Sequence, residues 1–151
     1  THGHCDHIGA VDAVCEKYGV PLYVHQADAH RLGDAQENLS IPFGFEVVVH
    51  TRPSVLLQGG ENLELAGIPL QVLHTPGHSE GSVCYLLPEG QGILTGDTLF
   101  AHGYGRTDFP DGSFMKLKQS LRTLFHLHPK MTVYPGHDET GVVGTDVEAA
   151  Q

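Results

Sequence analysis

Apolar residues recur at three- and four-residue spacing in two stretches of the chain, and this spacing predicts two helices. The first covers residues 7–18, with Asp6 as its N-cap and Gly19 at its end. Its apolar face consists of Ile8, Val11, Val14 and Cys15. The second helix begins after Ser113 and is stopped by Pro129. Its apolar stripe consists of Phe114, Leu117, Leu121, Leu124, Phe125 and His128.

Short apolar runs bounded by glycine, proline and polar turn residues predict the strands. The predicted strands are residues 21–25, 47–49, 62–65, 70–74, 82–87, 92–95 and 131–134. A short helix is predicted at 27–32 and the first turn of another at 145–150. Helices and strands thus alternate, which predicts an α/β fold in layers. The sequence has no internal repeat or linker, so we expect one domain over residues 1–151.

Composition narrows the classes of protein to consider. The 151 residues carry 8 basic and 18 acidic side chains, and the net charge of −10 argues against nucleic acid or an anionic membrane as a partner. Three scattered cysteines form no Cys-x-x-Cys pair, which favours a reducing compartment, and no apolar run is long enough to span a membrane. We therefore expect a cytoplasmic protein. Its 12 histidines are the compositional outlier.

Four metal-ligand side chains lie within six residues at the start of the chain, in the pattern His2-x-His4-x-Asp6-His7. On an extended segment the two-residue period places His2 and His4 on one face. A turn after them would bring Asp6 and His7 in from the other side. Imidazole and carboxylate together bind zinc, iron or manganese. A histidine tag is the alternative, but tags are homopolymeric and this segment continues directly into apolar sequence.

Three later segments place a polar residue next to glycine just after a predicted strand. They are Thr-Pro-Gly-His at 75–78, Thr-Gly-Asp-Thr at 95–98 and Tyr-Pro-Gly-His at 134–137. Strand ends are where loops project functional groups, and glycine permits a close backbone approach or a positive φ. Each segment alone is a common turn sequence. Their combination with the first cluster indicates one shared metal site.

These motifs, in this order and together with Gly-Arg-Thr-Asp-Phe-Pro at 105–110, resemble the metallo-β-lactamase superfamily, and within it the glyoxalase II-like hydrolases. The resemblance implies a four-layer αββα sandwich with metals at one edge. The family carries strands ahead of the first motif that have no counterpart here, so we expect the sandwich to be incomplete at its N-terminus. The family also commonly has tyrosine two residues after its last motif histidine, where this chain has Glu139.

The resemblance also implies a site with two divalent metal ions, with zinc the first expectation and iron or manganese as alternatives. One ion would be held by His2, His4 and His78, and the other by Asp6, His7 and His137. Asp97 would bridge the two. A hydroxide bridging the metals would then be the nucleophile, and Asp6 would act both as ligand and as catalytic proton acceptor.

A small-molecule thioester is the implied substrate, because a thiolate leaves readily with little acid assistance. Arg106 is expected either to pair with Asp108 or to hold a substrate carboxylate. His102 and Tyr104, in the same loop, are candidates for the wall of the substrate pocket. His74 is expected to support His78 without touching metal. The oligomeric state is left open.

Two other functions remain open from the residues alone. Persulfide dioxygenases resemble the chain equally well around residues 105–109, and would hold a single iron through His2 or His4 with His78 and Asp97. The other alternative is a non-catalytic fragment that binds metal structurally. The hydroxyacylglutathione hydrolase type of thioesterase is the first expectation.

Overall fold

Two β-sheets pack face to face and carry helices on their outer sides. The computed structural model describes residues 1–127 and 130–142. The helices are α1 (Cys5–Ile8), α2 (Val11–Tyr18) and α3 (Phe114–Leu127), with 3₁₀ turns at Ala29–Gly33 and Pro88–Gly90. The strands are β1 (Tyr23–His25), β2 (Val55–Leu57), β3 (Asn62–Leu65), β4 (Ile68–His74), β5 (Val83–Leu86), β6 (Ile93–Gly96), β7 (Thr132–Pro135) and β8 (Gly141–Val142).

The two sheets differ in size and direction. Strands β1 and β2 form a parallel pair, with Tyr23 opposite Val55. The larger sheet has the order β3-β4-β5-β6-β7-β8 and is antiparallel except between β6 and β7. Because β6 and β7 run parallel, the segments that follow them, at 97 and 136–137, leave the sheet at the same edge.

Three apolar clusters separate four layers, which confirms the αββα arrangement. Ile8, Val24, Leu32 and Val49 pack α1 and α2 against the small sheet. Leu57, Val72 and Val83 fill the space between the two sheets. The third cluster joins the far face of the large sheet to α3 and consists of Cys84, Ile93, Leu99, Leu117, Leu121, Leu124, Met131 and Val133. Both sheets are thus buried between apolar layers.

The predicted helix at 7–18 is in fact two helices, and this difference matters for the site. Ala10 has φ −102° and ψ 1°, which ends α1 and starts α2 in a new direction. Asp6 makes no capping hydrogen bond, because it lies inside α1, after the N-cap residue His4. The break lets α1 carry His7 to the metal-ligand cluster while α2 continues along the surface. Gly19 ends α2 in the left-handed region, as predicted.

Most predicted strands are confirmed with shifts of one or two residues, but residues 47–49 form no strand. Val49 N–H instead donates to the Leu32 carbonyl, and the Val47 carbonyl accepts from the Asn38 side chain. Strands β2 and β8 were not predicted. The predicted helical turn at 145–150, and His128 on the predicted stripe of α3, lie outside the described residues.

Candidate metal centre

The seven side chains predicted as metal ligands meet at one edge of the sandwich. They come from the N-terminal segment, from the loop after β4, and from the ends of β6 and β7. Three overlapping groups of them have ligand atoms within 4.8 Å of one another: His2-His4-His78, His2-His7-Asp97 and Asp6-His7-His137. Segments that follow strands therefore deliver His78, Asp97 and His137, as predicted, and the N-terminal segment and α1 deliver the other four.

The first triad, His2, His4 and His78, is buried. His4 Nδ1 lies 2.9 Å from His78 Nε2. The His2 ring centroid lies 4.7 Å from that of His4 and 4.8 Å from that of His78. His2 Nε2 is buried with no hydrogen-bond partner among the described residues. A buried nitrogen without a partner is costly in free energy, and a bound cation would satisfy it.

The second triad, Asp6, His7 and His137, is more exposed. His137 Nε2 lies 3.1 Å from Asp6 Oδ2 and 3.3 Å from His7 Nε2. His7 Nε2 lies 3.6 Å from the same Asp6 oxygen. One carboxylate oxygen and two imidazole nitrogens thus face a common point, a donor set that suits zinc, iron or manganese.

Asp97 lies between the two triads. Its Oδ1 is 3.1 Å from His7 Nε2, and its Oδ2 is 3.5 Å from His78 Nε2 and 3.4 Å from His137 Nε2. Burial disfavours ionisation of this carboxyl, but the hydrogen bond from His7 and the nearby imidazoles outweigh it and hold its pKa below the usual value. A carboxylate within 3.5 Å of imidazoles from both triads is placed where a bridging ligand would lie.

Burial favours the neutral form of two imidazoles of the first triad, His2 and His4, by lowering the pKa of each. Burial, followed by the neighbouring His78, lowers the pKa of His4 to about 4. Burial, followed by His7, lowers the pKa of His2 well below its usual value. The Arg106 carbonyl lies 2.8 Å from His78 Nδ1 and can only accept, so Nδ1 carries the proton and Nε2 keeps its lone pair. All three rings can therefore act as ligands.

Glycine is required immediately before His78 and before His137, because a Cβ at either position would clash with neighbouring atoms. A Cβ on Gly136 would lie 2.5 Å from Asp97 Oδ1 and 2.6 Å from His7 Cε1. Gly77 has φ +142°, and a Cβ there would lie 2.4 Å from the backbone of Leu117 in α3. The predicted role of glycine before the ligands is therefore confirmed at both positions.

Asp28 is a structural residue of the site that the sequence did not reveal. Its buried carboxylate accepts hydrogen bonds from Gly3 N–H, Ser79 Oγ and Gly81 N–H, each at 2.8 Å. Gly3 separates His2 from His4, and Ser79 follows His78, so one carboxylate holds both segments of the first triad. Asp28 also faces Arg31 at 3.5 Å. In the sequence it was one polar residue in a short predicted helix, with no motif around it.

A cavity of about 590 Å³ opens beside the two triads. Arg106 lies in its wall, and its guanidinium makes two 2.6 Å hydrogen bonds to Asp108. The structure does not bring His102 or Tyr104 to this cavity. His102 lies 3.1 Å from Glu139, and the Tyr104 ring packs near Phe114. Both side chains are exposed and directed to these neighbours instead.

His74 does not support His78 in the described structure, contrary to the sequence-based expectation. Its ring stacks on His25 with centroids 4.1 Å apart and an interplanar angle of 12°. Its Nε2 lies 2.8 Å from the Glu80 carbonyl. The reason is strand geometry: His74 ends β4 facing the small sheet, and the turn at residues 75–78 redirects the chain before His78.

Comparison with known proteins identifies the family. The model of the metallo-beta-lactamase superfamily matches residues 1–137. The chain belongs to this superfamily. It is 39% identical over 138 residues to the probable metallo-hydrolase YqgX of Bacillus subtilis, covering 91% of this chain and 62% of that protein. It is 33% identical over 148 residues to the hydroxyacylglutathione hydrolase GloC of Haemophilus influenzae, covering 97% and 70%.

A solved structure shares the fold. The structure of TTHA1623 in a di-iron-bound form matches with a TM-score of 0.83 and 35% identity, over 95% of this chain and 70% of that one. The metallo-beta-lactamase superfamily typically binds divalent metal ions, and it includes metallo-hydrolases such as the probable metallo-hydrolase YqgX. The chain spans about three fifths of the length of YqgX. Within the described residues, no helix is long and apolar enough to cross a membrane.

The lowered pKa of His4 predicts that chelator-treated protein loses stability as the pH falls from about 7 to 4. Below the ordinary histidine pKa of 6.5 the unfolded chain binds a proton that folded His4, with a pKa of about 4, does not. The contribution of neutral His4 to the free energy of unfolding is therefore fully present above pH 6.5 and declines as the pH approaches 4. Urea unfolding across this range measures it. His4→Gln should flatten the profile, and an unchanged slope would contradict the assignment.

Proposed function

We propose that the chain is the metal-binding core of a thioester hydrolase that holds two divalent ions, with zinc as the first expectation. The observation that carries the proposal is the position of Asp97, whose carboxylate lies 3.5 Å from His78 of the first triad and 3.1–3.4 Å from His7 and His137 of the second. Two complete triads around one carboxylate favour a dinuclear centre over a single ion. His2, His4 and His78 would hold one ion, and Asp6, His7 and His137 the other.

Two ions held here would lower the pKa of a shared water toward neutrality and polarise a carbonyl oxygen. The residues supply the rest. Asp6 lies in the cavity wall with a half-exposed side chain, so it can accept the proton of the attacking water and release it to solvent. The Arg106 carbonyl keeps His78 in the tautomer that binds metal. Asp28 holds together the two segments that carry the first triad, through Gly3 N–H and Ser79 Oγ.

A thioester suits this arrangement because its leaving group needs little help. Water oxygen bonds to the acyl carbon, the C–S bond breaks with its electron pair on sulfur, and the products are a carboxylate, a thiol and a proton. A thiol of pKa near 8.5 departs without a strong general acid. The similarity to GloC supports the chemistry of the hydroxyacylglutathione hydrolase type.

A second candidate is an iron-dependent persulfide dioxygenase. The observation in its favour is the compact cluster of two imidazoles and one carboxylate made by His4, His78 and Asp97, with His4 Nδ1 2.9 Å from His78 Nε2. Two histidines and a carboxylate are the ligand set of mononuclear iron oxygenases. The second triad is unnecessary for that chemistry, which is why we favour the hydrolase.

Metal content and substrate turnover, measured on the same preparation, separate these functions. We expect protein purified without added metal to contain close to two ions per chain and to release thiol from thioesters. His137→Ala should lower the content toward one ion. One iron per chain with persulfide-dependent oxygen uptake would refute the hydrolase and support the dioxygenase. Bound metal with neither activity would support the structural alternative.

A further inference from the structure

The cavity beside the two triads has an aromatic wall. Its apolar lining consists of Leu39, Phe43, Phe45, Phe100 and Phe109, which include four of the six phenylalanines in the chain. Phe43 and Phe45 are 57% and 50% exposed. Exposed rings grouped at a concave surface, rather than scattered singly, are typical of a site that binds an apolar ligand.

The wall is continuous with the candidate metal ligands. The Phe109 ring centroid lies 5.2 Å from that of His4 and 5.8 Å from that of His78. On its other side, Phe109 meets Phe43 edge to face with centroids 6.4 Å apart. A substituent on a carbonyl bound at the triads would therefore meet Phe109 first and Phe43 next. These two rings are positioned to recognise the group attached to the reacting carbon.

The same cavity offers no free positive charge among the described residues. All eight lysines and arginines of the chain lie within the described residues, and only Arg106 lines the cavity. Both its Nε and Nη2 bond to Asp108 at 2.6 Å, and its guanidinium carbon lies 4.5 Å from the Phe109 ring centroid. The guanidinium is thus neutralised and placed against an aromatic face.

A neighbouring cavity also offers no unpaired lysine or arginine among its described lining residues. It shares Leu39, Phe43, Arg106 and Phe109 with the first and adds Arg31. Arg31 is buried, lies 2.5 Å from an Asp111 oxygen and donates to the Glu37 carbonyl. With both guanidinium groups already paired, the described lining offers an anionic substrate group no free lysine or arginine away from the metal ligands.

We propose that the site selects thioesters with an apolar acyl group, such as an arylacetyl or medium-chain acyl group, and with no anionic group inside the cavity. Phe43 and Phe109 are the specificity-determining residues. This inference rests on the proposed thioester hydrolysis and names its substrate class. It predicts weak use of glutathione thioesters, because glutathione carries two carboxylates and the described lining has no free lysine or arginine to bind them.

The test compares two thioesters that share one uncharged thiol, N-acetylcysteamine, and differ only in the acyl group. We expect kcat/KM for phenylacetyl-N-acetylcysteamine to exceed that for lactoyl-N-acetylcysteamine by about 10-fold or more, equivalent to about 1.4 kcal/mol. Phe43→Ala should reduce this ratio about fivefold or more, mainly through KM for the phenylacetyl substrate. The control is Phe114→Ala, which removes an equally exposed ring outside the cavity and should preserve the ratio.

Two results would overturn the inference: a preference for the lactoyl group or for lactoylglutathione, or an equal loss on both substrates in Phe43→Ala. A binding measurement separates this failure from failure of the hydrolase proposal. The stable thioether S-phenethyl-N-acetylcysteamine should bind the wild-type protein more tightly than Phe43→Ala by calorimetry, whether or not any thioester is cleaved. Hydrolysis absent with this binding present would refute only the reaction, and absent binding would refute the aromatic site.

Discussion

Asp97→Ala is expected to lower thioester turnover by about 1,000-fold or more, the scale seen when a group that stabilises charge at a reacting centre is removed. The physical reason is that Asp97 contacts both triads, with oxygens 3.1 Å from His7 and 3.5 Å from His78. Its loss would leave two clusters of imidazoles without the negative charge that neutralises bound cations. Metal content should fall together with turnover.

His74→Ala is the matched control for this variant. His74 lies in the same region but stacks on His25 and contacts the Glu80 carbonyl rather than the ligands. Metal content and turnover should therefore remain close to wild type. Equal metal loss in Asp97→Ala and His74→Ala would mean that the assigned ligand set is incorrect. Circular dichroism of both variants checks that neither effect comes from unfolding.

Asp28→Ala is expected to lower the free energy of unfolding by about 3 kcal/mol or more, because three buried donors lose their acceptor and buried Arg31 loses one of its two carboxylate neighbours. Three hydrogen bonds of 2.8 Å would be lost together with the contact to Arg31. These bonds hold the two segments that carry His2, His4 and His78, so metal affinity should also fall. Urea unfolding and a metal titration measure the two effects.

Asp12→Ala is the control for the general cost of losing a carboxylate that accepts backbone hydrogen bonds. Asp12 accepts from His50 and Thr51 N–H far from the ligands. The Asp12→Ala variant should lower the free energy of unfolding much less than Asp28→Ala and leave metal affinity unchanged. Asp28→Asn keeps the shape of the side chain, so it provides a folded variant if Asp28→Ala does not accumulate. Unaltered metal affinity in Asp28→Asn would contradict a positioning role.

The ligands were predictable because each short motif contains both the ligand side chain and the neighbouring residues that determine the local backbone conformation. His2, His4, His78 and His137 follow extended residues or glycine, and each motif specifies its own turn. The alternation of helices and strands was predictable for a similar reason, since hydrophobic periodicity distinguishes α3 from the strands on which it packs. These features depend on neighbours within a few residues. The four-layer order itself followed only from the resemblance to the superfamily.

The features that sequence reasoning missed depend on contacts between distant residues. Phe43 and Phe45 lie in a segment without periodicity, and only the folded chain places them beside Phe109. Asp28 forms its bonds with residues 25 and 51 positions away. The predicted helix at 7–18 failed because its regular spacing continues across a break that the site imposes at Ala10.

The 130-residue separation between His7 and His137 has a consequence for biosynthesis. At about 5–20 residues per second, a ribosome needs roughly 7–26 s to make the intervening chain. During that time the N-terminal imidazoles are already outside the ribosome without their later partners. An unstructured His-x-His segment binds divalent metals in the Irving–Williams order, with copper ahead of iron and zinc. We therefore expect the identity of the metal to be decided after folding, by the completed ligand set, rather than during synthesis.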